Sequence, residues 1–164
     1  LLEKAKGLSQ PPDGAAVQVE KLEKAAEEAI TSKVSTDNIF TRTVMELYEA
    51  KHWDRVQESC LNCGTCTFFC PTCHCFDIQD EVHQGLGDRV RNWDSCMSWL
   101  FTHHGSGHNP RPGKKERVRQ RFMHKFKYIP MKREGEVGCV GCGRCVVFCP
   151  VNIDVRDVVR DMND

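Results

Sequence analysis

The sequence predicts a mainly helical domain, on three observations. Apolar residues recur at helical spacing in several segments, long runs alternating apolar with polar residues are scarce, and one cysteine pattern occurs twice with identical spacing. That pattern is Cys60-x2-Cys63-x2-Cys66-x3-Cys70-Pro71, and it returns as Cys139-x2-Cys142-x2-Cys145-x3-Cys149-Pro150. At 164 residues and 40% hydrophobic content the chain can build one domain, or two small ones, around a modest core. Lys plus Arg equals Asp plus Glu at 23 each, so overall charge selects neither nucleic acid nor an anionic membrane as partner. No apolar run is long enough to span a membrane and no signal peptide opens the chain, which leads us to expect a soluble, cytoplasmic protein. The start at Leu1 suggests a processed or truncated beginning.

Taken in order, residues 1–38 read as an N-terminal helical and linker segment, and residues 39–164 as the main domain. After the turn signature "SQPPDGAA", Val19, Leu22, Ala26 and Ile30 recur at helical spacing, an apolar stripe suited to packing on a neighbouring helix or subunit. Thr36, Asp37 or Asn38 can cap a second helix over 39–57, with Val44, Leu47 and Tyr48 on one face. Between the cysteine runs lie the turn-rich "HHGSGHNPRPG" and then "KKERVRQRFMHKFKY". There Val118, Phe122 and Lys125 or Phe126 fit one helical face, and Arg117, Arg121 and Lys125 another. From 111 to 133 there are ten Lys or Arg residues and a single acid, Glu116. After Pro150, Asn152 or Asp154 can cap a last helix whose Val155, Val158, Val159 and Met162 share a face.

Eleven cysteines, an odd number concentrated in two short runs without a secretory signal, argue against a disulfide framework. Three cysteines spaced by two residues can wrap one iron–sulfur cube, while the fourth, three residues on, points away and ligates the other cube of a two-cluster protein. The spacing therefore predicts two [4Fe-4S] clusters, one on Cys60, Cys63, Cys66 and Cys149, the other on Cys139, Cys142, Cys145 and Cys70. Gly64, Gly141 and Gly143 let backbone N–H groups approach the sulfurs, and Pro71 and Pro150 fix φ after the last ligand. Phe68, Phe69 and Phe148 either shield the clusters from water or simply pack in the core. Zinc competes, because paired Cys-x2-Cys elements also build zinc sites, but a structural zinc needs neither the third cysteine in phase nor the Cys-Pro.

Cys73, Cys75 and Cys96 are left over, with His74, His103, His104 and His108 as conceivable companions. They form either a third metal or thiol redox site or buried, reduced thiols; no recurrent spacing links them, which favours the second.

Five further motifs in order, "CPTCHCFD" at 70–77, "WDSC" at 93–96, "SGHNPR" at 106–111, "RQRFMHKF" at 119–126 and "CVGCGRC" at 139–145, carry a family resemblance. Over more than half its length the chain resembles the dicluster iron–sulfur subunits represented by the beta subunit of sulfur-reducing nickel–iron hydrogenases and by the corresponding dicluster component of anaerobic sulfite reductase. The resemblance implies a helical ferredoxin-like fold with a long insertion between the motifs. It also implies an electron-transfer subunit of an anaerobic complex, working between a flavin- or nucleotide-binding partner and a catalytic subunit. Only 59 residues precede Cys60, fewer than in those relatives, so the partner is expected to differ; a heterodisulfide-reductase-like, acyl-CoA-reducing or folate-reducing component fits.

Cubes held by four cysteines leave no iron open to substrate, and the sequence contains no HExxH, G-x-S-x-G, P-loop or GxGxxG element. Electron relay is the resulting expectation. The alternatives are a redox enzyme using Cys73, Cys75 and Cys96, and a nucleic-acid binder using the basic stretch. We read those charges instead as a docking face for an acidic partner or as compensation for anionic clusters, against a merely solvated helix face.

Overall fold

The computed structural model describes residue 7 and residues 9–164. The chain divides into two units, Leu1–Lys33 and Val34–Asp164. In the first, helix α1 (Ala15–Glu28) starts after Gly14, whose φ of 81° a glycine adopts without strain, and it forms where the helical spacing predicts it. None of its residues is buried, so Val19 and Leu22 stay exposed.

The second unit opens with three short helices where one was expected over 39–57: α2 (Asp37–Thr41), α3 (Val44–Tyr48) and α4 (His52–Ser59). The break after α2 has a local cause. Thr43 and Glu46 form a capping box, each side chain bonding the other's backbone N–H, which starts a new helix two residues after the old one ends. Ile39, Leu47 and Trp53 from the three helices are fully buried, and the Trp53 indole N–H donates to the Leu47 carbonyl at 2.6 Å.

Helix α5 (Thr65–Phe68) carries Cys66, the last member of the first cysteine triplet, and after it the expectation of a mainly helical domain fails. Residues 76–93 form an antiparallel hairpin, β1 (Phe76–His83) paired with β2 (Leu86–Trp93), running from Phe76 opposite Trp93 to His83 opposite Leu86. About 45% of the structure is helical and the domain is mixed α/β. The two-residue loop explains the hairpin. Gln84 and Gly85 have φ of 51° and 78°, the doubly left-handed turn that suits the twist of paired strands. Both faces of the ribbon are largely exposed, so the inside–outside alternation that announces a strand is diluted by acids and arginines.

Helix α6 (Lys114–Met123) runs into a π-helical turn (His124–Tyr128) and then α7 (Ile129–Lys132). Pro130 lacks an N–H and crowds the carbonyl of residue 126, which accounts for the widened turn before it. Helix α8 (Arg144–Val147) carries Cys145, the last member of the second triplet. Helix α9 (Val155–Asn163) is capped by the Asp154 carboxylate and buries Val158, Val159 and Met162, as the spacing predicts. The core gathers these residues with Ile39, Leu47, Trp53, Val118, Phe122 and Met123. Among the described residues no helix is long and apolar enough to cross a membrane.

Candidate functional site

The two cysteine runs fold alike. Gly64 and Gly143, at φ of 76° and 73°, start α5 and α8, and Asn62 and Gly141, at 58° and 65°, make the preceding turn. A Cβ at Gly141 or Gly143 would touch nothing within 4 Å, so conformation and not space selects glycine there. Asn tolerates the left-handed region at position 62. Its side chain is also held, donating to the Met97 carbonyl at 3.1 Å and accepting from Arg117 Nε at 3.3 Å.

The hydrogen bonds repeat as well. Phe68 N–H and Val147 N–H donate to the Gly64 and Gly143 carbonyls at 3.0 and 3.1 Å, and Cys70 N–H and Cys149 N–H to the Thr67 and Val146 carbonyls at 3.3 and 3.2 Å. Cys63 and Cys142, the middle members of each triplet, are the exposed ones. Helices α5 and α8 lie against each other, and the equivalent rings of Phe69 and Phe148 stack at 4.3 Å. Both rings, and Phe68, are too exposed to count as core.

One pocket, about 510 Å³ of empty space partly open to solvent, is lined by Cys60, Cys63 and Cys66 of the first run together with Cys145 and Cys149 of the second. Leu61, Met97, Val118, Phe122, Ile153 and Val155 complete an apolar wall, and among the described residues no carboxylate borders it. Cys60 accepts from Asn62 N–H and Cys149 from Ile153 N–H, each at 3.2 Å. Burial pushes the Cys60 and Cys66 thiols up, the latter against the pull of Arg121, while hydrogen bonding to Thr65 lowers Cys63. Among the described residues no three Cys, His, Asp or Glu side chains converge closely enough for a single metal ion. Thiols spread around a walled cavity fit a larger, sulfur-seeking group better than a lone zinc.

Cys70 is tied toward the second run. Its sulfur lies 3.2 Å from Thr72 Oγ, and Thr72 donates to the Gly138 carbonyl at 2.9 Å. Lys125 Nζ donates to both Thr72 Oγ and that carbonyl, each at 2.8 Å. A hydrogen bond from Cys73, with others involving Thr72 and Lys125, brings Cys70 down to about 3, burial opposing; the same contact and burial push Cys73 up. A Cβ on Gly138 would sit 2.6 Å from Ile129 Cδ1 and 3.3 Å from the Lys125 backbone, so this glycine permits the close approach. Sequence reasoning missed Asn62, Thr72 and Gly138; their signal is position, each one or two residues from a cysteine of the two runs.

The leftover cysteines make pairwise contacts, and Cys73 also acts on Cys96. Cys73 bonds Cys70, whereas Cys75 and Cys96 meet at the open base of the hairpin, where Asp94 N–H donates to the Cys75 carbonyl at 3.0 Å. The Cys96 thiol and its backbone N–H bring Cys75 down to about 6 against the effect of burial, and Cys96 is pushed up. His74, His103, His104 and His108 are exposed.

The basic stretch faces inward. Five of its ten cations, Arg117, Arg119, Arg121, Lys125 and Lys127, are buried, so these five present neither a docking face nor a solvated one. Each has work inside. Arg117 donates to the Arg111 and Pro112 carbonyls, Arg119 lies 3.4 Å from the Tyr48 ring centroid, and Lys127 donates to the Ile39, Phe40 and Arg42 carbonyls at the end of α2. Arg121 Nη2 donates to the Cys66 carbonyl at 3.1 Å. Burial works against its charge, but the sulfurs of Cys66 and Cys145 outweigh this and hold the guanidinium charged.

Residues 59–153 match the family model described as a 4Fe-4S dicluster domain. The chain is also similar to sulfhydrogenase 2 subunit beta of Pyrococcus furiosus, 39% identical over 120 residues that make up 70% of this chain and 34% of that protein. It thus spans about a third of the length of that curated relative. No solved structure matches.

Proposed function

This chain belongs to the 4Fe-4S dicluster domain family and its cofactors are two [4Fe-4S] clusters, and we propose that it relays single electrons through them as a subunit of an anaerobic, cytoplasmic oxidoreductase. Its partners would be a catalytic subunit, on one side, and a flavin- or nucleotide-binding one on the other, a reading supported by the likeness to a hydrogenase beta subunit. The observation that supports the ligand assignment is the mixed pocket, in which three cysteines of the first run meet Cys145 and Cys149 of the second. We assign Cys60, Cys63, Cys66 and Cys149 to one cluster, and Cys139, Cys142, Cys145 and Cys70 to the other.

When bound, each cluster supplies a one-electron couple. The chain's own residues do the rest. The eight cysteine thiolates of the two runs would hold the clusters. Leu61, Met97, Phe122 and Ile153 keep water from one side of the first site, and Arg121 and Lys125 offset the negative charge of the thiolates.

Paired double variants test the crossing. If it is right, Cys63→Ala/Cys149→Ala damages one site only, and anaerobic preparations keep one cube of about four irons. Cys63→Ala/Cys70→Ala then damages both. The reverse pattern overturns the assignment, and wild-type protein that binds zinc alone overturns the function.

A second reading rests on the Cys75 and Cys96 thiols at the hairpin base, which form a dithiol site. Oxidation by a small disulfide would join the two sulfurs and pass two electrons and two protons to the oxidant, which becomes two thiols. Titration with oxidised and reduced dithiothreitol should give a peptide crosslinked between Cys75 and Cys96 while iron is retained. In the reduced protein, alkylation of Cys75 should rise with a midpoint near pH 6. Independent alkylation of both thiols at every potential rejects this reading.

A further inference from the structure

Arg121 is 3% exposed, yet two of its donors, Nε and Nη1, are buried without a hydrogen-bond partner among the described residues. Nη2 donates to the Cys66 carbonyl, and the guanidinium also hydrogen-bonds the Cys145 side chain. Burying a guanidinium costs several kcal/mol unless an opposite charge and acceptors are at hand, and among the described residues no carboxylate lines the pocket that Arg121 enters. What does line it is sulfur. Cys60, Cys63 and Cys66 of the first run and Cys145 and Cys149 of the second share that pocket with Arg121, the one Lys or Arg lining it among the described residues. By the assignment above, Cys66 belongs to one cluster and Cys145 to the other.

We propose that Arg121 is a positioning residue for both redox centres at once: a fixed cation between the two clusters, with two N–H donors reserved for their sulfur, that makes each easier to reduce. The inference rests on the electron-transfer reading. Reduction adds one negative charge to a cluster, and a nearby fixed positive charge favours the more negative state, as do hydrogen bonds to sulfur. Because the cation stands between a ligand of each cluster, its removal acts on both, whereas a cation beside one cluster would shift only that one. Helix α6 supplies the rigid mount, anchored by the buried Val118, Phe122 and Met123 beside Arg121.

The test is a redox titration followed by EPR on anaerobically purified full chain, comparing wild type with R121M and R121K at known iron content. R121M is expected to keep both cubes and to lower the equilibrium constant for one-electron reduction of each at least tenfold, a shift of about 59 mV to more negative potential. R121K, which keeps the charge, is expected to lie closer to wild type. Two cubes in R121M with either potential unmoved overturn the proposal. If R121M loses iron, R121K decides: both potentials within tenfold of wild type support it, and a larger displacement of either overturns it. Loss of iron from both variants would make Arg121 a scaffold residue and also overturn it. Wild-type protein without two cubes would instead sink the electron-transfer reading itself.

Discussion

Helix α6 with its π-helical turn and the β1–β2 hairpin invert the usual allocation of side chains. The helical segment is rich in charge and buried, carrying Arg117, Arg119, Arg121, Lys125 and Lys127 inward. The hairpin offers Phe76, Val82, Leu86 and Trp93, which are 48%, 77%, 77% and 52% exposed. The difference teaches that hydropathy does not by itself decide what lies inside. Long cationic side chains can run through a core when their heads reach carbonyl oxygens or sulfur, and apolar residues can stay outside when a two-stranded ribbon has nothing to close against.

The sharpest way to break this comparison is to delete matched rings. Phe122→Ala should cost about 4 kcal/mol in urea unfolding of the iron-loaded protein under argon, since Phe122 is buried against Trp53 at 6.3 Å between centroids. Phe76→Ala should cost under about 1 kcal/mol; equal losses would mean that the hairpin carries core weight. Next in size, Lys127→Met should cost about 2 kcal/mol, because it strips three carbonyls of their donor. A neutral or stabilised protein would show that those carbonyls find other partners. Gly85→Ala should then loosen the hairpin by about 1 kcal/mol, read as faster amide exchange confined to 76–93, because φ at Gly85 is 78°. Smallest of all, Arg89→Met removes the exposed ion pair with Asp80 at 2.7 Å and should leave the urea midpoint unchanged.

Legibility in the sequence followed how local the cause was. Asp154 as N-cap and the buried Val158, Val159 and Met162 of α9 were readable because capping and helical period act within a few residues. The predicted helix over 39–57 was right in type but continuous where the Thr43–Glu46 capping box divides it. The hairpin went unread because its alternation is blurred, although Gln84-Gly85 carried the signal. At the site, cysteine spacing identified every thiol that lines the mixed pocket, while Gly138 and Thr72 matter through contacts with Lys125, more than ten residues away from Gly138 and further still from Thr72.

The sequence alone determined the cysteine frame: two identical spacings, each turn set by residues at fixed offsets that permit positive φ, within the span that matches a 4Fe-4S dicluster domain. Only the tertiary structure decided where the charges go. Whether Arg121 faces water, a partner or a sulfur-lined pocket depends on which elements pack around α6, and helical period cannot distinguish a polar face turned to solvent from one turned inward to carbonyls and thiols.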